Sequence, residues 1–330
     1  MIKTSPCLFL ILCCALCDDP SRKLDSYDYF SEFYAIVFTP DGKSLLTSHP
    51  TGDIKIWNLA ASQKGSFGKS LDDDINRDSG WIALAVSPDG RYLVGGGPKD
   101  KVRFWHINDP GKKTVTLGSH TRVKAVAFSR DDKTLLTGGE DQVVKVWNLE
   151  TKTSRDVQHD HPNGISAITI SADGKAFATA DDDQIKIWDM ATMKERLTIT
   201  RRQPYGLIFN ALAFSPDGKS IASICRENVK LWSATTGKEL ASVSVNYPTA
   251  LAFSPDGKRI ALSGAYTKIF VYDGTMSKQE MELDQGISPA AISLAFSPDG
   301  SLLVSGHCSD PNRKGGSGIM QLWNMKTTKP

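Results

Sequence analysis

Three short stretches carry residue types that do chemistry in other proteins. In Asp72-Asp73-Asp74-Ile75-Asn76-Arg77-Asp78-Ser79-Gly80, the residues Asp74, Asn76 and Asp78 alternate like the oxygen donors of a calcium loop. Counted from Asp74, the glycine comes one place late, and the twelfth position holds Ala85 instead of a glutamate that binds through both oxygens. The stretch reads as a weak calcium candidate or as a solvated polar loop. His159-Asp160-His161 resembles a metal fragment, but a metal wants three or four ligands in fixed geometry, and no third is evident. Gly95-Gly96-Gly97-Pro98-Lys99 lacks both the Gly-Lys-Ser/Thr ending and the following helix of a phosphate loop. No nucleophile elbow or other familiar catalytic signature appears. The expectation is a non-catalytic chain with no cofactor and no resident metal. Carboxylates converging from distant segments stay open as an alternative.

Composition narrows the partners. The formal net charge of +2 in 330 residues gives no ground for nucleic acid or an acidic membrane. Cys7, Cys13, Cys14 and Cys17 crowd the start, and only Cys225 and Cys308 lie in the body, so no disulfide framework is expected. The start itself, MIKTSPCLFLILCCALCDDP, places one lysine before a short apolar run and two aspartates after it. That run is too short to cross a bilayer as a helix and fits a secretory signal peptide over residues 1–17. Residues 18–330 are then one exported domain. A lipid anchor at Cys17 is disfavoured by the bulk of Leu16 before it, and a cytosolic chain with a misread start is the alternative.

The elements that would position any site are set by a repeat. LAFSPDGK occurs at Leu212–Lys219 and again at Leu251–Lys258, and LAFSPDGS at Leu294–Ser301. Weaker copies are anchored at Phe38, Val86, Phe128 and Ile170, and with Phe214, Phe253 and Phe296 they make seven. Successive spacings are 48, 42, 42, 44, 39 and 43 residues. An aromatic follows each anchor at Trp57, Trp105, Trp147, Trp188, Trp232, Tyr272 and Trp323. Each unit predicts a buried apolar strand, a Pro-Asp-Gly turn, a second strand, and an alternating third strand ending in the aromatic, with room for a fourth. No helical periodicity competes. The fold class is all-β.

Seven units of about this length, with SPDG-type turns and terminal Trp-Asn or Trp-Asp pairs, resemble the WD-repeat family over about Phe33 to Asn324. The resemblance implies a seven-bladed β-propeller of four-stranded antiparallel blades. Too few residues follow Trp323 for a last strand, so residues 18–30 are expected to close the ring. It also implies buried hydrogen-bond sets, here His120, Thr137, Asp141 and Trp147 in the third unit and His161, Thr179, Asp182 and Trp188 in the fourth. Units five and seven keep Ser223 with Trp232 and Ser305 with Trp323 without a histidine. These residues are assigned to stability.

By the same resemblance the chain is a protein–protein interaction platform, with an enzyme or small-ligand binder at the channel mouth, or a cytosolic regulatory platform, as alternatives. The docking face is expected where loops enter the first strands and leave the second. Tyr34, Trp81, Arg122, Lys124, Asn210, Arg226 and Tyr247 are its candidate contacts, because aromatic and arginine side chains supply binding hot spots.

Overall fold

The computed structural model describes residues 21–25, 35–49, 54–59, 69–70, 83–97, 101–109, 115–158, 161–200, 211–225, 227–264, 268–285, 291–307 and 319–326. Their strands form seven separate four-stranded antiparallel sheets. Blade three shows the construction. Its strands run Ala125–Phe128, Thr134–Gly138, Val143–Asn148 and Thr153–Gln158, in that order from the axis outward. The first strand is almost wholly apolar because neighbouring blades press on both of its faces. The fourth, Thr-Ser-Arg-Asp-Val-Gln, is polar because it faces solvent.

One cross-strand pair repeats in every blade. Opposite the aromatic that recurs on each third strand stands a large apolar residue of the second. The pairs are Leu45 with Trp57, Leu93 with Trp105, Leu135 with Trp147, Phe177 with Trp188, Ile221 with Trp232, Ile260 with Tyr272, and Leu303 with Trp323. All seven apolar partners are at 0% exposure. The core therefore lies between blades, where one blade's second strand meets the next. Ala178 and Ile187 of blade four, for instance, pack with Phe214, Ile221 and Trp232 of blade five.

First strands touch in succession around the ring, and those of blades seven and one also meet. The Ile36 N–H donates to Ser293 Oγ across that joint at 3.2 Å. Blade seven takes its fourth strand from the start of the chain. Ser21–Asp25 runs antiparallel to Ile319–Asn324, with Ser21 opposite Trp323 and Asp25 opposite Ile319. The closing strand thus falls inside the expected residues 18–30. Residues 1–17, read as a signal peptide, lie outside the described residues.

The turns between first and second strands form a hoop at one end of the ring. Six of the seven place glycine at φ between 67° and 72°, and Asp132 takes that role in blade three at φ 59°. Only glycine holds this left-handed conformation without cost. The hoop is tiled: each glycine lies against the turn of the preceding blade. A Cβ on Gly90 would sit 3.4 Å from Pro40, on Gly257 3.4 Å from Pro216, on Gly300 3.7 Å from Pro255, and on Gly42 3.5 Å from Pro298. In blades three and four the proline is replaced by Arg130 and Ala172. There Gly174 faces the Arg130 side chain instead.

Candidate docking face

The other end of the ring carries the loops from fourth to first strands and from second to third strands. Among the described residues, the residue six before the anchor has a left-handed backbone in each of three blades: Arg122 at φ 45°, Gly164 at φ 77° and Tyr247 at φ 47°. Glycine is the natural occupant. An arginine or tyrosine there carries strain of about 1–3 kcal/mol, which persists only when the surroundings enforce it. Both side chains are displayed outward. Tyr247 is 69% exposed, a large aromatic surface left to water. Arg122 Nη1 donates to Glu140 Oε2 at 3.0 Å, and Lys124 Nζ lies 3.1 Å from Glu140 Oε1. The Lys124 bond is the leading reason that the Glu140 carboxyl stays below its ordinary range. One glutamate thus spaces two cations. Beside them, burial and then the neighbouring Asp181 push the Asp182 carboxyl upward, while the field of Lys124 acts the other way. Asn163 Nδ2 donates to Asp183 at 3.0 Å. This sector sets positive and negative groups side by side, which suits specific recognition of a protein surface.

Of the seven expected contacts, Arg122, Lys124 and Tyr247 lie on this face. Tyr34, Trp81, Asn210 and Arg226 lie outside the described residues, as do the calcium candidates Asp74, Asn76 and Asp78. Thr249, the counterpart of Lys124 in blade six, points inward instead. Its hydroxyl donates to the Ala291 carbonyl at 2.6 Å and links blades six and seven. Among the described residues no three His, Cys, Asp or Glu side chains are grouped to hold a metal.

Beneath the face lie the buried hydrogen-bond sets. In blade three, His120 Nδ1 is 2.7 Å from Thr137 Oγ1 and His120 Nε2 is 2.9 Å from Asp141 Oδ1. The Trp147 indole N–H donates to Thr137 Oγ1 at 2.8 Å. In blade four, His161 Nε2 is 2.7 Å from Thr179 Oγ1, and Trp188 donates to the same oxygen at 2.9 Å. Blade five has Trp232 on Ser223 at 2.8 Å, and blade seven Trp323 on Ser305 at 3.4 Å. The family model described as WD domain, G-beta repeat, matches residues 111–148, 152–189 and 286–324, which hold the three inner strands of blades three, four and seven and, in the first two matches, the outer strand of the blade before. Seven blades share one turn, the Trp57 indole on Thr47 Oγ1 at 2.9 Å in blade one brings the described indole bonds to five, and three blades fit the family's own pattern.

The chain is a seven-bladed β-propeller that carries WD repeats.

A solved structure described as U3-55K is similar to this WD-repeat propeller, with a TM-score of 0.76 over 92% of this chain and 98% of that one at 17% identity. In all, 1751 solved chains match, so likeness of fold selects no ligand. No curated protein matches the sequence.

The geometry of the WD-repeat propeller corrects one expected residue and adds two. The acid of blade four is Asp181, not Asp182: His161 Nδ1 lies 3.0 Å from Asp181 Oδ2, with both side chains fully buried. Burial works to raise the Asp181 carboxyl, but the bond from His161 and the N–H groups of Asp183 and Gln184 outweigh it and hold it low. Asp182 lies beside the set, half-buried. Blades one and seven also have a histidine, drawn from a different place. His49 Nε2 is 3.0 Å from Thr47 Oγ1, and His307 Nε2 is 3.1 Å from Ser305 Oγ. Each histidine follows its hydroxyl by two residues at a strand's end, so both point to one face. The patterns Thr-x-His and Ser-x-His upstream of a tryptophan were the available signal.

The WD-repeat propeller also has a built-in acid response. All seven turn aspartates sit below the ordinary carboxylate value of 3.8, Asp299 at about 2. In Asp41, Asp131, Asp217, Asp256 and Asp299 the leading cause is the hydroxyl donated from two residues earlier. In Asp173 it is the Lys175 N–H, and in Asp89 burial opposes the shift but the Ser87 hydroxyl and Arg91 prevail. His120 is lowered from 6.5, chiefly by burial and against the pull of Asp141. Groups with lowered folded values contribute stability in full above their unfolded values and lose it as the pH falls through the folded ones. The thermal midpoint is therefore expected to decline below about pH 6.5 as His120 charges on unfolding, and more steeply from pH 3.8 toward about 2. Melting followed by circular dichroism across this range checks it; a midpoint that rises on acidification contradicts it.

Proposed function

We propose that this WD-repeat propeller is a non-catalytic, exported platform for other proteins, docking them on the face that carries Arg122, Lys124 and Tyr247. The observation that carries the reading is the pair of displayed side chains on left-handed backbone. Blade four solves the same position with Gly164, so strain at Arg122 and Tyr247 is retained for what those side chains present. The mouth of the channel at the turn end supports it from the other side. Its described lining is apolar or hydroxylic, with Ile170, Phe253, Phe296, Pro216, Pro255 and Pro298 prominent, and supplies no acid–base pair for an enzyme.

Tyr247→Gly separates folding from docking. It relieves left-handed strain and adds chain entropy to the unfolded state, so stability is expected to stay within about 1 kcal/mol of the parent. Loss of an exposed aromatic anchor is expected to weaken partner binding at least about tenfold. Affinity capture from native extract with both forms, followed by titration of the recovered partner, makes the test. Equal capture by both forms refutes this face as the docking surface.

Export rests on the residues 1–17 pattern. Cleavage after Cys17 leaves Ser21–Asp25 available to close the ring. Sequencing the N-terminus of the protein recovered from its host decides it: a start at Met1 overturns export by signal peptide.

A further inference from the structure

The hoop of turns departs from its proline pattern between blades three and four, and a groove opens there. Between blades three and four, where Arg130 and Ala172 stand in for proline, the groove encloses about 940 Å³. The equivalent groove between blades six and seven, flanked by Pro255 and Pro298, encloses about 610 Å³. The floor of the wider groove is apolar, made by Val146, Trp147, Met190 and Met193. Its walls carry Arg130, Arg155, Lys175 and Arg196 against Asp131, Asp173 and Asp189.

The acids are engaged within their own turns. Asp131 accepts the Ser129 hydroxyl and the Lys133 N–H, and Asp173 accepts the Ser171 hydroxyl and the Lys175 N–H. Asp189 is bonded by Arg196 and by the N–H groups of Ala191 and Thr192. The cations are not matched in the same way. Arg130 spends one N–H on the Ala172 carbonyl at 3.0 Å, which neutralises nothing. Arg155 and Lys175 are exposed and make no ion pair among the described residues. In the narrower groove the lining arginine is paired: Arg259 Nε lies 2.9 Å from Glu280 Oε2.

We infer that this groove is a second docking site, distinct from the Tyr247 face, and that its occupant is an extended acidic segment of another protein. Carboxylates of that segment would meet Arg130, Arg155 and Lys175, and its apolar residues the methionine and tryptophan floor. Guanidinium groups suit carboxylates because they present paired N–H donors in one plane. The side of the ring opposite the Tyr247 face leaves both sites usable at once.

The test uses the full chain and a fluorescein-labelled peptide alternating glutamate with leucine, read by anisotropy at low and moderate salt. Binding is expected to weaken with salt. The double variant Arg155→Glu, Lys175→Glu is expected to bind at least about tenfold less tightly, since like charges now face the peptide. Ala172→Pro, which restores the tile residue of the other turns, is a second route that narrows the groove and is also expected to weaken binding. Lys124→Glu, on the opposite face, is expected to leave peptide binding unchanged, which separates this site from the one proposed above. Thermal midpoints verify folding of each variant. Three results overturn the inference: no binding at low salt, equal binding by the charge-reversed double variant, or equal binding of a lysine–leucine peptide. Displacement by single-stranded polynucleotide at concentrations where the acidic peptide does not compete also overturns it, in favour of a general polyanion site.

Discussion

A chain that begins at Ser26 is expected to melt about 10 °C below the full-length protein, on the scale of about 2 °C per kcal/mol for a chain of this size. The lost strand, Ser21–Asp25, pairs along its whole length of 5 residues with Ile319–Asn324. At a net value of about 1 kcal/mol for each backbone bond, roughly 5 kcal/mol goes with it. The deletion also exposes an edge of sequence Ile-Met-Gln-Leu-Trp-Asn, apolar and unblocked by charge or proline. Such an edge recruits other strands, so the truncated chain is expected to self-associate as well. Lys23→Pro offers a graded version, because proline removes a ladder donor at one position opposite Gln321. Calorimetry and light scattering read the two effects. A midpoint unchanged by the deletion would show that blade seven does not need its borrowed strand.

Thr179→Val is expected to cost about 2–6 kcal/mol from one oxygen atom, with two buried groups orphaned at about 1–3 kcal/mol each. Valine keeps the shape of threonine, so packing changes little. What changes is that Thr179 Oγ1 serves both His161 and Trp188, with Asp181 behind the histidine. Thr179, His161 and Asp181 are all at 0% exposure, so water does not replace the missing partner. The same logic scales across blades. In blade five, Ser223→Ala deprives the indole of Trp232 of its hydroxyl partner, and about half the loss is expected. Blade six shows the apolar solution, with Leu262 in the hydroxyl position and Tyr272 in place of tryptophan, its hydroxyl turned to Gln279. Adding Trp188→Phe to Thr179→Val is therefore expected to recover part of the loss. Denaturant unfolding of the single and double variants makes the comparison; a double variant weaker than the sum of its parts would contradict the shared-oxygen account.

Much of the architecture was legible because it is written seven times. The anchors and their aromatics located the blades, and the spare residues before blade one announced the closing strand. Where reading failed, it failed on single residues whose partners depend on geometry. Thr137 and Trp147 are 10 apart, while Thr179 and Trp188 are 9 apart. The fourth turn offers Asp181, Asp182 and Asp183 in a row, and the shorter turn brings Asp181, not the expected Asp182, to the histidine. His49 and His307 were missed because they reach the hydroxyl along their own strand, not from the loop where a histidine was sought. The display of Arg122 and Tyr247 depends on backbone handedness, which a sequence of non-glycine residues conceals. The wide groove needed two turns, 42 residues apart in sequence, to be seen as neighbours.

The seam of the ring has a consequence in time. Of the described blade strands, Ser21–Asp25 leaves a ribosome first and Ile319–Asn324 last, yet the two are partners. Each inner blade is assembled from contacts local in sequence, so blades one to six can form while synthesis continues. The first strand must stay unmatched throughout. Bringing such distant ends together from an open coil would carry a large entropy cost, and the blades folded in between have already paid most of it. Closure of the ring thus waits on its last strand: a chain cut short before Ile319–Asn324 leaves Ser21–Asp25 unmatched and this joint unsealed.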